Sequence, residues 1–188
     1  MADLEESIQV ARQAIEATPE DYPDRAILLD NLGIYLSDRY SRTEDIADLE
    51  ESIQVARQAI KATPEDHLDR ARRLNNLGIR LSDRYSRTGD IADFEESIQV
   101  ARQAIEATPE DHLDRARWLN NLGIHLSNRY LRTGAMTDLE ESIQLVRQAI
   151  EATPEDYPDR AIRLSSLGIY LSDRYSRTED IADLEESI

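Results

Sequence analysis

The chain has 188 residues, no cysteine and a net charge of −17, with 40% apolar, 32% charged and only 5% aromatic residues. That profile is helix-rich and soluble, neither disordered nor fibrous, and it excludes disulfides and thiol chemistry. No apolar run approaches the ~20 residues of a membrane span, no basic-then-apolar leader opens the chain, and the acidity repels phosphate backbones and anionic lipid. The expectation is therefore no nucleic acid and no membrane among its partners, and the lack of cysteine points to the cytoplasm.

From the N-terminus, the heptad Asp3-Leu4-Glu5-Glu6-Ser7-Ile8-Gln9 returns at Asp48, at Asp93 with Phe94 for leucine, at Asp138 and, cut short, at Asp183. The step is 45 residues each time, and Thr-Pro-Glu-Asp keeps it at Thr18, Thr63, Thr108 and Thr153. A strict period of this size marks a stacked repeat array, in which neighbours bury the apolar face that one unit cannot bury alone. The expected organisation is a single array of four repeats, 3–47, 48–92, 93–137 and 138–182, with a partial fifth at 183–188.

Each period carries two helical stripes. In the second repeat Ile46, Leu49, Ile53, Ala56 and Ile60 fall on one helix face, and Ala71, Leu74, Gly78, Leu81 and Tyr85 on another. The pattern predicts helices over 3–17, 23–42, 46–62, 68–87, 91–107, 113–132, 137–152 and 158–177, with a ninth starting near 181. Asp45 is the expected N-cap of its helix, Thr63-Pro64 the stop, and Gly89 the left-handed residue that ends the next. Gly134-Ala135-Met136-Thr137 lacks the aspartate cap, so Thr137 is expected to cap a helix that starts later. Gly33, Gly78, Gly123 and Gly168 sit in mid-helix at a cost of about 1 kcal/mol each relative to alanine, which predicts a close crossing that no side chain enters.

Reactive chemistry is absent from the pattern. His67, His112 and His125 have no zinc spacing, and no phosphate-cradling glycine loop or nucleophile elbow occurs. The Glu5-Glu6 pair and its copies occupy adjacent helical positions that point about 100° apart and read as solvated charge. The expectation is a non-enzyme without cofactor or metal.

Leu29-x-x-Leu32-Gly33-x-x-Leu36 resembles the first helix of a tetratricopeptide (TPR) repeat, and Ser7, Ala11, Ala14 and Pro19 keep the spacing of its second helix. Leucine stands for the family's tryptophan, alanine for its aromatic residue, and the unit is 45 residues rather than 34. The signature Thr63-Pro64-Glu65, Asp69-Arg70, Leu74-Asn75-Asn76-Leu77-Gly78 is similar to the long TPR-like repeats. Such repeats resemble those of kinesin light chains and of fungal and bacterial multidomain proteins, where they accompany nucleotide-binding or caspase-like domains. The resemblance implies an all-α, right-handed superhelical α-solenoid of stacked helix-turn-helix repeats that acts as a protein-binding scaffold. The carboxylate-clamp type of TPR needs lysine and asparagine where this chain has Asp38 and Ile34, which argues against chaperone C-terminal tails as ligands.

Comparing the four copies locates a candidate site. The sets Ile27/Arg72/Arg117/Ile162, Asp30/Asn75/Asn120/Ser165, Asn31/Asn76/Asn121/Ser166 and Asp38/Asp83/Asn128/Asp173 vary, whereas Ile34, Ile79, Ile124 and Ile169 do not. Positions 27, 31 and 38 share a face away from Leu29, Gly33 and Leu36, the face that by the resemblance lines the concave groove. Leu28/Arg73/Trp118/Arg163 and Tyr35/Arg80/His125/Tyr170 form a neighbouring variable row. The expected groove comprises Asp30, Asn31, Ile34, Arg72, Asn75, Asn76, Ile79, Arg117, Trp118, Asn120, Asn121, Ile124 and His125. Its asparagines suit main-chain groups, its isoleucines apolar anchors, and its arginines an acidic ligand. Drift after duplication gives the same variation, and packing between adjacent repeats gives the same isoleucine row. The rival role is a structural or regulatory array in a larger signalling protein, self-stacking and without a groove ligand. Both ends lack a polar capping helix, which suggests a window from a longer array and head-to-tail stacking at high concentration or in crystals.

Overall fold

The computed structural model describes residues 2–187, and among them every regular element is a helix. The elements are α1 (Ala2–Glu16), α2 (Arg25–Thr43), α3 (Ile46–Lys61), α4 (Asp69–Thr88), α5 (Ile91–Glu106), α6 (Arg115–Thr133), α7 (Met136–Glu151), α8 (Asp159–Thr178) and α9 (Ile181–Ser187). They fall into two compact units that divide between Ala107 and Thr108. In the first, α1 packs on α2, α2 on α3, α3 on α4 and α4 on α5; in the second, α6 packs on α7, α7 on α8 and α8 on α9.

The stripes are the core. In the first unit Leu49, Ile53, Leu74, Leu77 and Leu81 form one cluster, and Ile8, Leu29, Leu32, Leu36 and Val55 a second. Tyr85 stacks on Phe94 with ring centroids 4.3 Å apart. The second unit buries Leu139, Ile143, Val146, Leu167 and Leu171 in one cluster with Tyr130.

Conserved polar letters of the repeat close the helix ends. Asp45 and Asp90 accept from the main-chain N–H of Ala47 and Ala92 at 3.1 and 3.0 Å, the expected N-cap bond. At the other end of α3, Thr63 Oγ1 donates to Ala59 O at 2.6 Å, and Arg70 Nη1 donates to Ile60 O and Thr63 O at 3.0 and 2.9 Å. The Thr-Pro and Asp-Arg letters therefore satisfy the last carbonyls of the helix and set a cation at its negative end. A third device is a fork in which Arg39 donates Nε and Nη2 to Asp48 at 2.7 and 2.5 Å. Arg129 and Asp138 repeat it with both bonds at 2.8 Å, and Arg84–Asp93 and Arg174–Asp183 make the same pair. Hydrogen bonding to Arg174 holds the Asp183 carboxyl below its ordinary range.

Two local expectations are corrected. Helix α7 starts at Met136, in the same register as α3 and α5, with Ala135 in the N-cap position and no side-chain cap. The fully buried Leu139 and the Arg129–Asp138 fork fix its start where the cap is missing. The mid-helix glycines do not all mark a crossing closed to side chains. A Cβ at Gly33 would meet Val55 Cγ2 and Arg80 Nη2 at 3.2 Å, but at Gly123 its nearest neighbour would be Ser142 O at 3.5 Å, an ordinary contact. Gly89 and Gly134 end their helices at φ +73°, and Glu44 and Glu179 hold the equivalent left-handed place at φ 57° and 58°.

Candidate binding groove

The first helix of each repeat spends one face on the stripe, so its other residues divide between solvent and the neighbouring helix. In the first unit a groove of about 280 Å³ runs between α2 and α4, lined by Ile34, Ser37, Asp38, Asn76, Ile79 and Arg80. Three of these, Ile34, Asn76 and Ile79, are among the residues expected in the groove; Ser37, Asp38 and Arg80 are not. Ile79 is 40% exposed and Ile34 half-buried. In the second unit the equivalent Ile124 and Ile169 are 39% and 58% exposed.

Other anticipated groove residues lie elsewhere. Asp30 is buried, where it accepts from Arg72 Nη1 at 2.6 Å, so Arg72 is engaged with the protein itself. Asn75 is buried, and Asn31 lines a different, larger groove of about 560 Å³ against α1, with Val10, Ala11, Leu28 and Tyr35. In the second unit Arg117 lies over the Trp118 ring at 4.5 Å and donates to Asp114 at 2.8 Å. Trp118 is 2% exposed, and Asn120 and Asn121 are half-buried. His125 is buried with Nδ1 lacking a hydrogen-bond partner, and desolvation pushes its pKa down to about 4. Trp118 and His125 belong with the buried Arg73, Arg80, Arg163 and Tyr170, so the neighbouring variable row is largely interior.

Arg80 stands in the neighbouring variable row and outside the expected groove. Arg80 is 4% exposed, its Nη1 has no hydrogen-bond partner, and desolvation lowers its pKa against the attraction of Asp30, Asp83 and Asp38. Burial also raises the pKa of Asp83, opposed by Arg80. The available signal was arginine in a row that holds tyrosine at 35 and 170 and histidine at 125. Among the described residues no group of His, Cys, Asp and Glu is disposed to hold a metal ion, and no helix is long and apolar enough to cross a membrane.

A sequence model of the tetratricopeptide repeat matches residues 25–69, 70–114 and 115–155, each unit opening on the first helix of the pair. The chain belongs to the tetratricopeptide repeat family. Solved TPR-like structures share its fold. The putative kinesin light chain of Podosopora anserina, with nearly identical TPR-like repeats, is 15% identical, with 99% of this chain and 86% of that one covered at a TM-score of 0.67. BtubC of P. vanneervenii is 18% identical, with 99% and 70% covered and a TM-score of 0.73. MamA is 16% identical, with 99% and 87% covered and a TM-score of 0.65. No curated protein sequence matches the chain. The TPR fold is in general a protein–protein interaction scaffold and typically non-catalytic.

Proposed function

We propose that this TPR chain is a non-catalytic scaffold that holds a segment of another protein against the first helices of its repeats. The observation that carries this reading is the α2–α4 groove, where half-buried Ile34 and exposed Ile79 lie with Ser37 and Asn76; the equivalent Ile124 and Ile169 of the other unit are exposed as well. Half-exposed isoleucine next to amides and hydroxyls provides apolar anchorage and main-chain hydrogen bonding together. Selection of binders from a displayed peptide library, followed by titration against wild type and Ile79→Ser with Asn76→Ala, tests it. Selected peptides should lose about tenfold or more in affinity for the double variant while its helicity is unchanged; peptides that bind both proteins equally refute the groove.

A further inference from the structure

The groove between α1 and α2 copies a surface that another helix already covers. Asp3, Ser7, Val10, Ala11, Leu28 and Tyr35 line it, 45 positions before Asp48, Ser52, Val55, Ala56, Arg73 and Arg80. On the α3–α4 pair those six copies are all buried; on the α1–α2 pair Asp3 and Val10 are exposed and the other four half-buried. The cover on α3–α4 is α2, and four contacts seat it. Arg39 forks onto Asp48 at 2.7 and 2.5 Å. Gly33 lies so close that a Cβ there would stand 3.2 Å from both Val55 Cγ2 and Arg80 Nη2. Glu44, just past the helix, pairs with Arg87 at 3.2 Å. Asp30 accepts from Arg72 at 2.6 Å and lies 3.9 Å from Arg73 Nε, two arginines that also reach Asp69.

The α1–α2 pair keeps the places for three of these contacts and changes the fourth. Asp3 stands where Asp48 accepts the fork, Val10 where Val55 meets the glycine, and Arg42 where Arg87 meets the glutamate. Ile27, Leu28 and Tyr35 replace Arg72, Arg73 and Arg80, so no cation receives an acid at the Asp30 place. The other arginines of the pair are engaged: Arg12 with Glu51, Arg25 with the main-chain oxygens of Ile15 and Thr18, and Arg39 with Asp48 and Glu5. The carboxylates of Asp3 and Glu6 line the groove instead. An acid pressed against Leu28 and Tyr35 would lose its water without gaining a cation, a cost that an uncharged residue escapes.

We propose that the α1–α2 groove is a second docking surface, for an amphipathic helix that carries Leu-x-x-Leu-Gly, with no charge three residues before the glycine and arginine six residues after it. The occupant is a helix because α2, seated on the equivalent surface, is one. Among the chain's own first helices α2 is excluded by Asp30, whereas α8 carries every matching residue in Ser165, Gly168, Arg174 and Glu179. This surface is separate from the α2–α4 groove.

The test is fluorescence anisotropy of a labelled, end-capped peptide of residues 158–180 against the full chain, with peptide variants Ser165→Asp, Gly168→Leu and Arg174→Ala. Chain variants are Val10→Glu and the double change Leu28→Arg with Tyr35→Arg, which installs the residues of positions 73 and 80. Circular dichroism checks that both fold. The parent peptide should bind wild type and lose about tenfold or more with Ser165→Asp or Gly168→Leu. With Arg174→Ala it should lose several-fold and show a shallower salt dependence. Val10→Glu should abolish binding, and the double variant should bind the Ser165→Asp peptide more tightly than the parent. No binding of the parent peptide, binding that Val10→Glu leaves unchanged, or tolerance of leucine at Gly168 overturns the docking surface. Equal binding of the parent and Ser165→Asp peptides to wild type overturns its selection by charge.

Discussion

The same substitution, glycine to alanine, is expected to act with opposite sign at two places in this chain. At Gly89 the backbone is left-handed, φ +73°, and an added Cβ meets nothing within 4 Å, so backbone strain acts alone. The left-handed region costs an L-residue about 1–2 kcal/mol. Alanine's smaller loss of unfolded-chain freedom returns about 0.4–1 kcal/mol. Gly89→Ala should therefore destabilise by about 0.5–1 kcal/mol. At Gly123 the backbone is helical and a Cβ would meet Ser142 O at 3.5 Å, Leu145 Cβ at 3.9 Å and Ser142 Cα at 4.0 Å. With no overlap to relieve, the helix preference of alanine should stabilise by up to about 1 kcal/mol. Gly33→Ala should gain less, because its Cβ would press Val55 Cγ2 and Arg80 Nη2 at 3.2 Å. In urea, with a slope of about 1–3 kcal/mol per molar, 1 kcal/mol moves the midpoint by roughly 0.3–1 M, well within the resolution of a circular-dichroism titration. A Gly123→Ala chain less stable than wild type would show that the crossing is closed to a methyl group, and a neutral Gly89→Ala would refute the strain argument.

Three further outcomes are expected. Leu77→Ala, at a position 3% exposed, should cost about 2–5 kcal/mol, while Asn76→Ala at the groove should cost under about 1 kcal/mol; equal losses in denaturant would make the asparagine structural. Ala135→Asp should supply the cap that α7 lacks and stabilise by about 1 kcal/mol, visible as a higher urea midpoint, and a lower one would refute the capping account. His125 has a folded pKa depressed to about 4 from 6.5, so it contributes nothing above about pH 6.5, where both states are neutral. As pH falls from there to about 4 the unfolded chain alone takes up the proton, and stability should drop by roughly 3 kcal/mol in total. A His125→Phe chain should lose that part of the pH dependence, and identical pH profiles would refute it.

What the sequence discloses and what it hides follow from how many faces a stacked helix uses. The helix pairs were legible because each stripe repeats at 3.6-residue spacing, and Thr63-Pro64 and Asp45 act within a few residues of their own position. The fork between Arg39 and Asp48 was not legible, since an arginine nine residues from an aspartate has many possible partners. Nor was the burial of Arg73, Arg80, Trp118 and His125, because one helix's pattern shows the stripe that meets its own partner and not the face that a neighbour covers. Variation among copies was therefore a poor guide to surface: at positions 80, 125 and 170 it changes buried side chains. The helix start at Met136 failed to follow its capping residues for a related reason, as burial of Leu139 outweighs a missing cap worth about 1 kcal/mol.

The isoleucine row can be weighed by magnitude for what it would offer a ligand. Positions 27, 72, 117 and 162 show that exposed sites on these helices accept either isoleucine or arginine, yet Ile34, Ile79, Ile124 and Ile169 are the same in every copy. Packing covers them in part: Ile34 is half-buried, and Ile79, Ile124 and Ile169 are 40%, 39% and 58% exposed. Full burial of such a side chain is worth about 1.5–3 kcal/mol, so each leaves about 1 kcal/mol to be recovered when something covers it. The two isoleucines of one unit then offer roughly 2 kcal/mol, less than the 4–15 kcal/mol that association itself costs. A ligand held by this surface must therefore draw most of its affinity from polar contacts, and in the α2–α4 groove Ser37, Asp38 and Asn76 are the polar side chains that are not buried. A partner that engages only one unit should bind weakly and exchange fast, and one that engages both should gain by avidity rather than by any new contact.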